Sequence, residues 1–534
     1  MEANPANDTE KHLSLPPGTV MLNEGHSDSI ILHPTPSSDP NDPLNWSMWR
    51  KGINFGLTNF YVLFTFVMLD IMKVAFEAYM KMGISYETLN NAVATNCAGL
   101  AVGCLMFIPF VHKFGRRPLY MISSLIQLVA AIWSASLHTG RELIGANLLS
   151  GIGGATSETI VMITIVDLFF VHQHARFNGI FLLAQSLGAF GGPVAAGFIV
   201  ANQGWRWMWW WTAIFLGVNL VLVCLFFEET KYIPVSLGRS AQETHDETEE
   251  SKPSKSSHEH LDQMPAYPSP ESESIIPRPN PLSKRLALIT RSDESIWHHF
   301  YLPFKILFTF PAVAYAAITY GLLLAWFAVI SSAASYFMLS PPYSFNSSSV
   351  GLFILSALIG AILGTFVGAP LNDKSILWLA RRNGGIFEPE MRLWMILPGS
   401  LIATVGLLTF GLCLSRSLPW IVLAVGYAIF GFGFSVTGDI ALTYLTDCYP
   451  EILGDALVGV VFVRNGLSVL IMFVYTPWIT AMGIQNTFIV AAMISLAMTI
   501  MPIGLLIWGK RARKHTAAEY RRFALRQPLH RSLG

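Results

Sequence analysis

Twelve apolar runs, each about as long as a bilayer is thick, restrict what this chain can fold into more than any other feature. A helix needs about 20 mostly apolar residues to cross the hydrocarbon layer. Runs of that size fall near 52–72, 92–111, 117–137, 143–166, 177–200, 208–227, 305–338, 350–370, 393–414, 419–445, 456–478 and 485–508. Hydrocarbon supplies no partner for backbone N–H and C=O groups, so each run has to satisfy its own as a helix. Composition agrees, because 52% of the 534 residues are hydrophobic and 13% charged, which does not fit a soluble globular chain. The seventh run is overlong, which predicts either a late start or a tilt. The expected fold class is all-α integral membrane, with twelve transmembrane helices.

The same composition excludes several function classes. Formal net charge is +0, so there is no electrostatic case for a nucleic-acid partner. The five cysteines are Cys97, Cys104 and Cys224 inside apolar runs, and Cys413 and Cys448 near the ends of others, without metal-ligand spacing. Neither a metal site nor a disulfide framework is expected. No phosphate-cradling loop with Gly-Lys-Ser or Gly-Lys-Thr occurs, so ATP-driven pumping has no site and no cofactor is implied. An enzyme would need nucleophile, base or metal ligands converging at one depth, and the apolar runs offer scattered carboxylates and one arginine.

Lysine and arginine in short loops set orientation. Lys113, Arg116 and Arg117 follow the second run, Arg176 the fourth, Lys374, Arg381 and Arg382 the eighth, and Lys510, Arg511, Arg513 and Lys514 the last. The alternate loops are sparser, with Lys81, Arg141, Arg206 and Arg416. Both termini are therefore expected in the cytoplasm. Between the sixth and seventh runs lies SAQETHDETEESKPSKSSHEHLDQMPAYPSPESESIIPRPNP, whose Ser, Glu and Pro content cannot build a core. The expected divisions are a disordered N-terminal segment over 1–50, a six-helix bundle over 51–231, a disordered connector over 232–300, a second bundle over 301–509 and a basic tail over 510–534. The tail has charge enough to lie against anionic lipid, though topogenic retention explains it as well. The sequon Asn346-Ser347-Ser348 falls in an outward loop, open to glycosylation.

An internal repeat links the halves. GIGGATSETIVMITIVDLF at 151 and GFGFSVTGDIALTYLTDCY at 431 align so that Gly151, Gly153 and Asp167 match Gly431, Gly433 and Asp447. Each stretch is the fourth helix of its half. Repeated bundles about a midplane cavity are the architecture of many secondary transporters.

Ionisable residues at membrane depth are costly and so mark functional candidates. Glu158 lies about nine residues before the end of the fourth helix, and Gln185 of the fifth falls at the same depth. Asp439 of the tenth helix and Arg464 of the eleventh reach a comparable level. Glu158 reads as a protonatable or cation-binding carboxylate, or as a structural hydrogen-bond partner of Gln185. Asp439 is expected to pair with Arg464. Asp167 and Asp447 read as gate or loop partners of nearby Lys and Arg, and Asp70 with Lys73 as an i,i+3 pair. Tyr320, Trp326 and Tyr336 on the seventh helix are candidates to line a cavity, with core or lipid packing as the competing role.

The fifth helix carries AQSLGAFGGPVAAG at 184–197. Ala184, Gly188, Gly192 and Ala196 recur every four residues, a small-residue face that admits another helix closely. Pro193 removes the hydrogen bond to the Ala189 carbonyl and favours a local bend. Gly188, Gly192, Pro193 and Gly197 resemble the antiporter signature of the major facilitator superfamily, with Ala196 in place of one glycine. KFGRRPLY at 113 resembles its loop signature through Gly115, Arg116 and Arg117, and the equivalent loop of the second half keeps an acid, Asp373. DPNDPLNWS at 39, SPPYSFNSSSVG at 340, RRNGGIFEPEMRLW at 381 and YPE at 449 are similar to the fungal drug and polyamine proton antiporter branch. Against the pattern, His112 stands where the loop signature has an acid, and Asn147 where the fourth helix has an arginine tied to proton transfer.

The resemblance implies two pseudo-symmetric six-helix bundles alternating access around a cavity lined by helices one, four, seven and ten. It implies a monomeric secondary transporter in the plasma membrane, or in a vacuolar or other internal one. Its partners would be a small organic substrate, protons and the bilayer. Export of a drug, toxin, secondary metabolite or polyamine is the expected reaction; import of a polyamine, amine or other nutrient by proton symport is the rival, and a non-transporting sensor a remote third.

Overall fold

The computed structural model describes residues 16–21, 39–232, 281, 285–290 and 296–524. Among them, eleven helices are long and apolar enough to cross a membrane. They are α1 (Met48–Lys81), α2 (Tyr86–Phe114), α3 (Arg117–Ser136), α4 (Gly140–Leu168), α5 (Arg176–Gln203), α6 (Trp205–Phe226), α7 (Pro311–Phe337), α8 (Ser347–Arg382), α9 (Pro389–Ser415), α10 (Trp420–Cys448) and a final stretch, Pro450–Ala524. That final stretch is two helices. Gly483 interrupts it at φ 75° and ψ 166°, a conformation glycine takes without steric cost. The chain turns back there, giving α11 (453–482) and α12 (484–524, broken by a turn at 499–500), so twelve helices cross. Both ends of the described chain lie on one side of the bundle, the terminal face.

Local sequence writes many of the helix starts. Side-chain oxygens of Ser47, Ser85, Thr139 and Asn346 accept from the backbone N–H three residues on, capping α1, α2, α4 and α8. Of the two readings of the overlong seventh run, the late start holds. Ile296–Thr309 forms a separate short helix, Phe310 is extended and Pro311 opens α7. A residue before proline is pushed out of the helical region while proline itself suits a first turn, so the Phe-Pro step sets the break.

Helices in lipid gain little from apolar contact, and close approach through small residues takes its place. Gly151 of α4 lies so near α2 that a Cβ would sit 2.1 Å from the Asn96 carbonyl oxygen, and Gly153 presses on α3 at Gln127. Their repeat partners make the matching contacts. A Cβ at Gly431 of α10 would sit 2.3 Å from the Ala357 carbonyl oxygen of α8, and Gly433 presses on Ala403 of α9. The sequence repeat is thus a repeat of contacts, with α4 wedged between α2 and α3 and α10 between α8 and α9. Two six-helix bundles of one design result, α1–α6 and α7–α12, meeting along α2 with α11 and α5 with α8.

The two stretches expected to lack structure, and the basic tail, are partly built into the fold. Within 1–50, Asn45 Nδ2 donates to the Asp39 carbonyl (2.8 Å) and Asp42 accepts from Leu44 N–H (3.1 Å). Also there, β1 (Val20–Met21) pairs antiparallel with β2 (Ile386–Phe387). Within 232–300, Thr290 N–H donates to the Phe114 carbonyl (3.0 Å) and Arg285 grips Glu228. Within 510–534, α12 runs on to Ala524 and buries Arg513 against Glu390. Polar and ionic partners order these segments, which composition does not register. The rest of each segment lies outside the described residues.

The wedge contacts carry a test. Gly151→Val and Gly431→Val are each expected to cost about 1–3 kcal/mol or more, because the clash is with backbone that cannot repack. Gly217→Val, where a Cβ would meet Leu128 at 3.8 Å, is expected to be tolerated. Thermal unfolding of the purified variants in detergent measures the difference.

Candidate functional site

Halfway through the membrane, the two bundles meet on a charge pair. Glu158 of α4 and Arg464 of α11 form a salt bridge, with side chains 6% and 7% exposed. Asn465 Nδ2 donates to the other carboxylate oxygen at 2.9 Å. Arg464 is placed by close packing, since its Cα lies where Gly321 of α7 leaves room, and its guanidinium stacks over the Tyr320 ring at 5.3 Å. Neither ion is near enough to water to be solvated by it, so each depends on the other. The pair therefore ties one bundle to the other at the level where a substrate would pass.

This corrects two expectations. Arg464 pairs with Glu158 across the bundle interface, not with Asp439, and Glu158 takes Asn465, not Gln185. Depth along a helix fixes the level of a side chain, while its direction around the helix decides its partner. Asp439 lies on the α8 side of α10, where Ser435 Oγ is 3.4 Å away and in turn bonds Thr365 Oγ1 at 2.7 Å. No lysine or arginine among the described residues lies within ion-pair distance of Asp439. Tyr320 lies beside the pair, under the Arg464 guanidinium. Trp326 does not: it is buried inside the C-terminal bundle, beside a small cavity it shares with Tyr315, Thr319, Ser400, Thr437 and Ser495. Gln185 is half-buried on α5.

Toward the face opposite the termini, the halves close on each other. Asn90 of α2 donates to Thr476 of α11 (2.8 Å) and accepts from Ser332 of α7, and Tyr86 stacks on Tyr336 at 4.0 Å. Beneath this seal, Lys73 of α1 bonds Asp70 (2.7 Å) and places its ammonium 5.8 Å from the Phe327 ring of α7. Phe327 meets Phe190 of α5 edge-on and Tyr427 and Phe434 of α10 at a tilt, and Phe434 lies 6.2 Å from Tyr320, so a chain of aromatic rings from α5, α7 and α10 reaches the charge pair.

The small-residue face of α5 serves both neighbours. A Cβ at Gly188 would lie 2.4 Å from the Leu63 carbonyl oxygen of α1, and one at Gly192 would lie 3.0 Å from the Val67 Cα. Gly197 turns to the other bundle, where a Cβ would sit 2.7 Å from the Ser347 carbonyl oxygen, while Gly351 of α8 approaches the Pro193 carbonyl as closely. Pro193 cannot donate to the helix, and the chain answers with a π turn over Leu187–Gly191. Nearer the terminal face, α5 exposes Leu183 and α8 exposes Phe366. The glycine contacts between α5 and α8 thus gather at the sealed end.

On the terminal face each bundle carries its own latch. Gly115, at φ 101°, packs against Glu229, whose carboxylate accepts from the backbone N–H of Arg116 (2.9 Å) and Arg117 (3.1 Å). Arg116 then reaches Asp167 at the end of α4 (2.9 Å), and Arg117 donates to the Cys224 carbonyl (2.7 Å). In the second half Arg392 pairs with Asp447 at the end of α10, with Asp373 3.9 Å away. Glu228 sits between Arg50 and Arg285, bonding each. Partial burial pushes its carboxyl up, but the two guanidiniums outweigh that and hold it below the usual carboxylate range. Among the described residues no three His, Cys, Asp or Glu side chains converge as metal ligands would.

Comparison with known proteins decides the family. The Major Facilitator Superfamily profile matches residues 55–471. The chain belongs to the Major Facilitator Superfamily. Within it, the chain is 30% identical to Protein HOL1 of Saccharomyces cerevisiae over 92% of each chain. It is 31% identical to an uncharacterized MFS-type transporter of Schizosaccharomyces pombe, over 92% of this chain and 90% of that one. It is 27% identical to a probable efflux pump of Aspergillus flavus, over 81% and 98%. A crystal structure of a POT family transporter in complex with 5-aminolevulinic acid has a TM-score of 0.58 at 14% identity, covering 89% of this chain and 99% of that one. That likeness bears on the fold alone.

Sequence reasoning missed Asn465, Glu229 and the aromatic rings of Phe190, Phe327 and Phe434 in this facilitator. Asn465 had a signal, a second polar residue next to Arg464 in an apolar run. The phenylalanines had none, since apolar residues face lipid and cavity alike. The charge pair predicts a double-mutant cycle. Arg464→Gln strands Glu158 and Glu158→Gln strands Arg464, each expected to cost about 3–5 kcal/mol, whereas the double variant Glu158→Gln with Arg464→Gln recovers most of it. Thermal unfolding of the three variants checks this.

Proposed function

We propose that this facilitator exports a small organic molecule in exchange for protons, with Glu158 as the coupling carboxylate. The observation that carries the reading is the Glu158–Arg464 pair, a buried carboxylate whose partner belongs to the other bundle. A proton on Glu158 removes the attraction that holds α4 to α11 and leaves Asn465 as a neutral partner. Occupancy of one carboxylate is thereby linked to how the two halves sit, which is what coupling by alternating access requires. The arginine that the family pattern places on the fourth helix is absent. Asn147 there is occupied with the Leu143 carbonyl at 2.9 Å. In this reading Arg464 supplies the missing guanidinium from α11.

Orientation supports export. The terminal face carries Lys113, Arg116, Arg117, Arg381, Arg382 and Lys510, so it is read as cytoplasmic. The seal of Asn90, Ser332 and Thr476 then closes the outer side, with the bundles 51–231 and 301–509 rocking about the pair. Asn346, exposed at the start of α8, is read as the outward glycosylation position. The relative named a probable efflux pump adds support for direction, and the plasma membrane is the proposed location. Aromatic rings with the unpaired Asp439 nearby suit a substrate bearing an amine, which a ring face and a carboxylate both attract.

Transport in inside-out vesicles with an imposed pH gradient tests the reading, using a panel of amine-bearing drugs and polyamines. Accumulation driven by an acidic lumen is expected, and accumulation only in right-side-out vesicles with acid outside would establish import instead. Glu158→Gln is expected to abolish the response to the gradient while leaving substrate binding measurable. Asp439→Asn is expected to weaken binding of amine-bearing substrates and to spare neutral ones, as read by equilibrium binding to purified protein.

A further inference from the structure

The first described residues of the chain do not rest on the bundle they precede. Residues 16–21 come before α1, yet they dock on the terminal face of the C-terminal bundle. Val20 pairs with Phe387 and Met21 with Ile386, adding a strand to the loop between α8 and α9. Ahead of them Thr19 N–H donates to the Pro16 carbonyl (3.2 Å), and Pro16 is buried. The turn so formed places Gly18 at φ 79° directly on the end of α10. A Cβ there would lie 2.3 Å from the Asp447 carbonyl oxygen and 3.1 Å from the Pro389 ring.

Arg513 of α12 completes the cradle. Its guanidinium is 1% exposed, and two of its nitrogens hold Glu390, Nε at 2.8 Å and Nη2 at 2.5 Å. The third, Nη1, donates to the Pro17 carbonyl and to the Thr19 hydroxyl (3.2 Å). Arginine carries five N–H donors and a buried one left unmade is costly. The segment therefore supplies acceptors that the C-terminal bundle does not itself provide at Nη1. Backbone pairing for affinity and one side-chain clamp for register are the means by which grooves take extended peptides.

We infer that the groove between β2, the Pro389–Arg392 turn, the end of α10 and α12 is a peptide-docking surface, and that residues 16–21 are its built-in ligand. The segment bears on the backbone of Asp447, whose side chain holds Arg392, so the docked peptide buttresses the latch of the second half. Seventeen residues, 22–38, join it to the first half. Such a length reaches at most about 60 Å, enough for the peptide to stay docked while the bundles move. The clamp thus acts on one bundle without locking the two together, and it does not depend on what is transported.

The test uses the full chain, a form lacking residues 1–21, and a fluorescein-labelled synthetic peptide of residues 12–24, all in lipid nanodiscs or detergent. Saturable binding to the shortened form is expected, with little to the full chain, whose groove is filled. A peptide carrying Gly18→Val is expected to bind about ten-fold or more weakly, the cost of forcing one side chain against backbone. Amide hydrogen exchange over 386–392 and 509–516 is expected to quicken in the shortened form and to slow again with the unaltered peptide. Equal binding of the two peptides, or exchange unchanged by the truncation, would overturn the assignment.

Discussion

Hydrocarbon gives helices no water to bond and little hydrophobic reason to associate, and this one constraint organises the structure. Association has to come from backbone approaching backbone, so the wedge helices carry glycine where α4 crosses α2 and α3 and where α10 crosses α8 and α9. It also has to come from polar groups that find each other, so the charges at mid-membrane are paired or hydrogen-bonded. Gly151 and Gly431 show the first, Glu158 with Arg464 the second.

Duplication then explains why the molecule has two of so many things. Each bundle ends its fourth helix in an aspartate, Asp167 or Asp447, and each brings an arginine from the start of its third helix to meet it. The departures from symmetry are where the halves meet. Glu158 has no acidic counterpart at the matching position of α10, which is Gly438, and Arg464 no basic counterpart at the matching position of α5, which is Ala184. A symmetric scaffold holds an asymmetric pair, as a device needs if the two halves are to play different parts.

The fold was legible in the sequence because its determinants are extensive: twelve apolar runs, loops that alternate in basic charge, and a repeat long enough to align. Particular contacts were legible only where they are local. The Asp70–Lys73 pair follows from helical spacing, and the break before α7 follows from Phe310-Pro311. What could not be read was azimuth. Arg464 and Asp439 share a level, and nothing in the one-dimensional pattern says that α11 turns its arginine toward α4 while α10 turns its aspartate toward α8. Of the two roles open to Trp326, core packing is the one seen, and the choice again turned on the direction of its ring, into its own bundle. Order in the polar segments was hidden too, because Arg285, Arg513 and Thr19 each depend on a partner more than fifty residues away.

The placement of the central pair has a consequence for how the protein is made. Glu158 and its hydrogen-bond partner Asn465, the neighbour of Arg464, are separated by 307 residues along the chain. At a synthesis rate of about 5–20 residues per second, α4 waits about 15–60 s for α11 to leave the ribosome. Through that interval the first bundle exists in the membrane with an unmatched carboxyl at its centre. The first half is thus electrically incomplete until the second arrives, and assembly of the two bundles completes a circuit that neither closes alone.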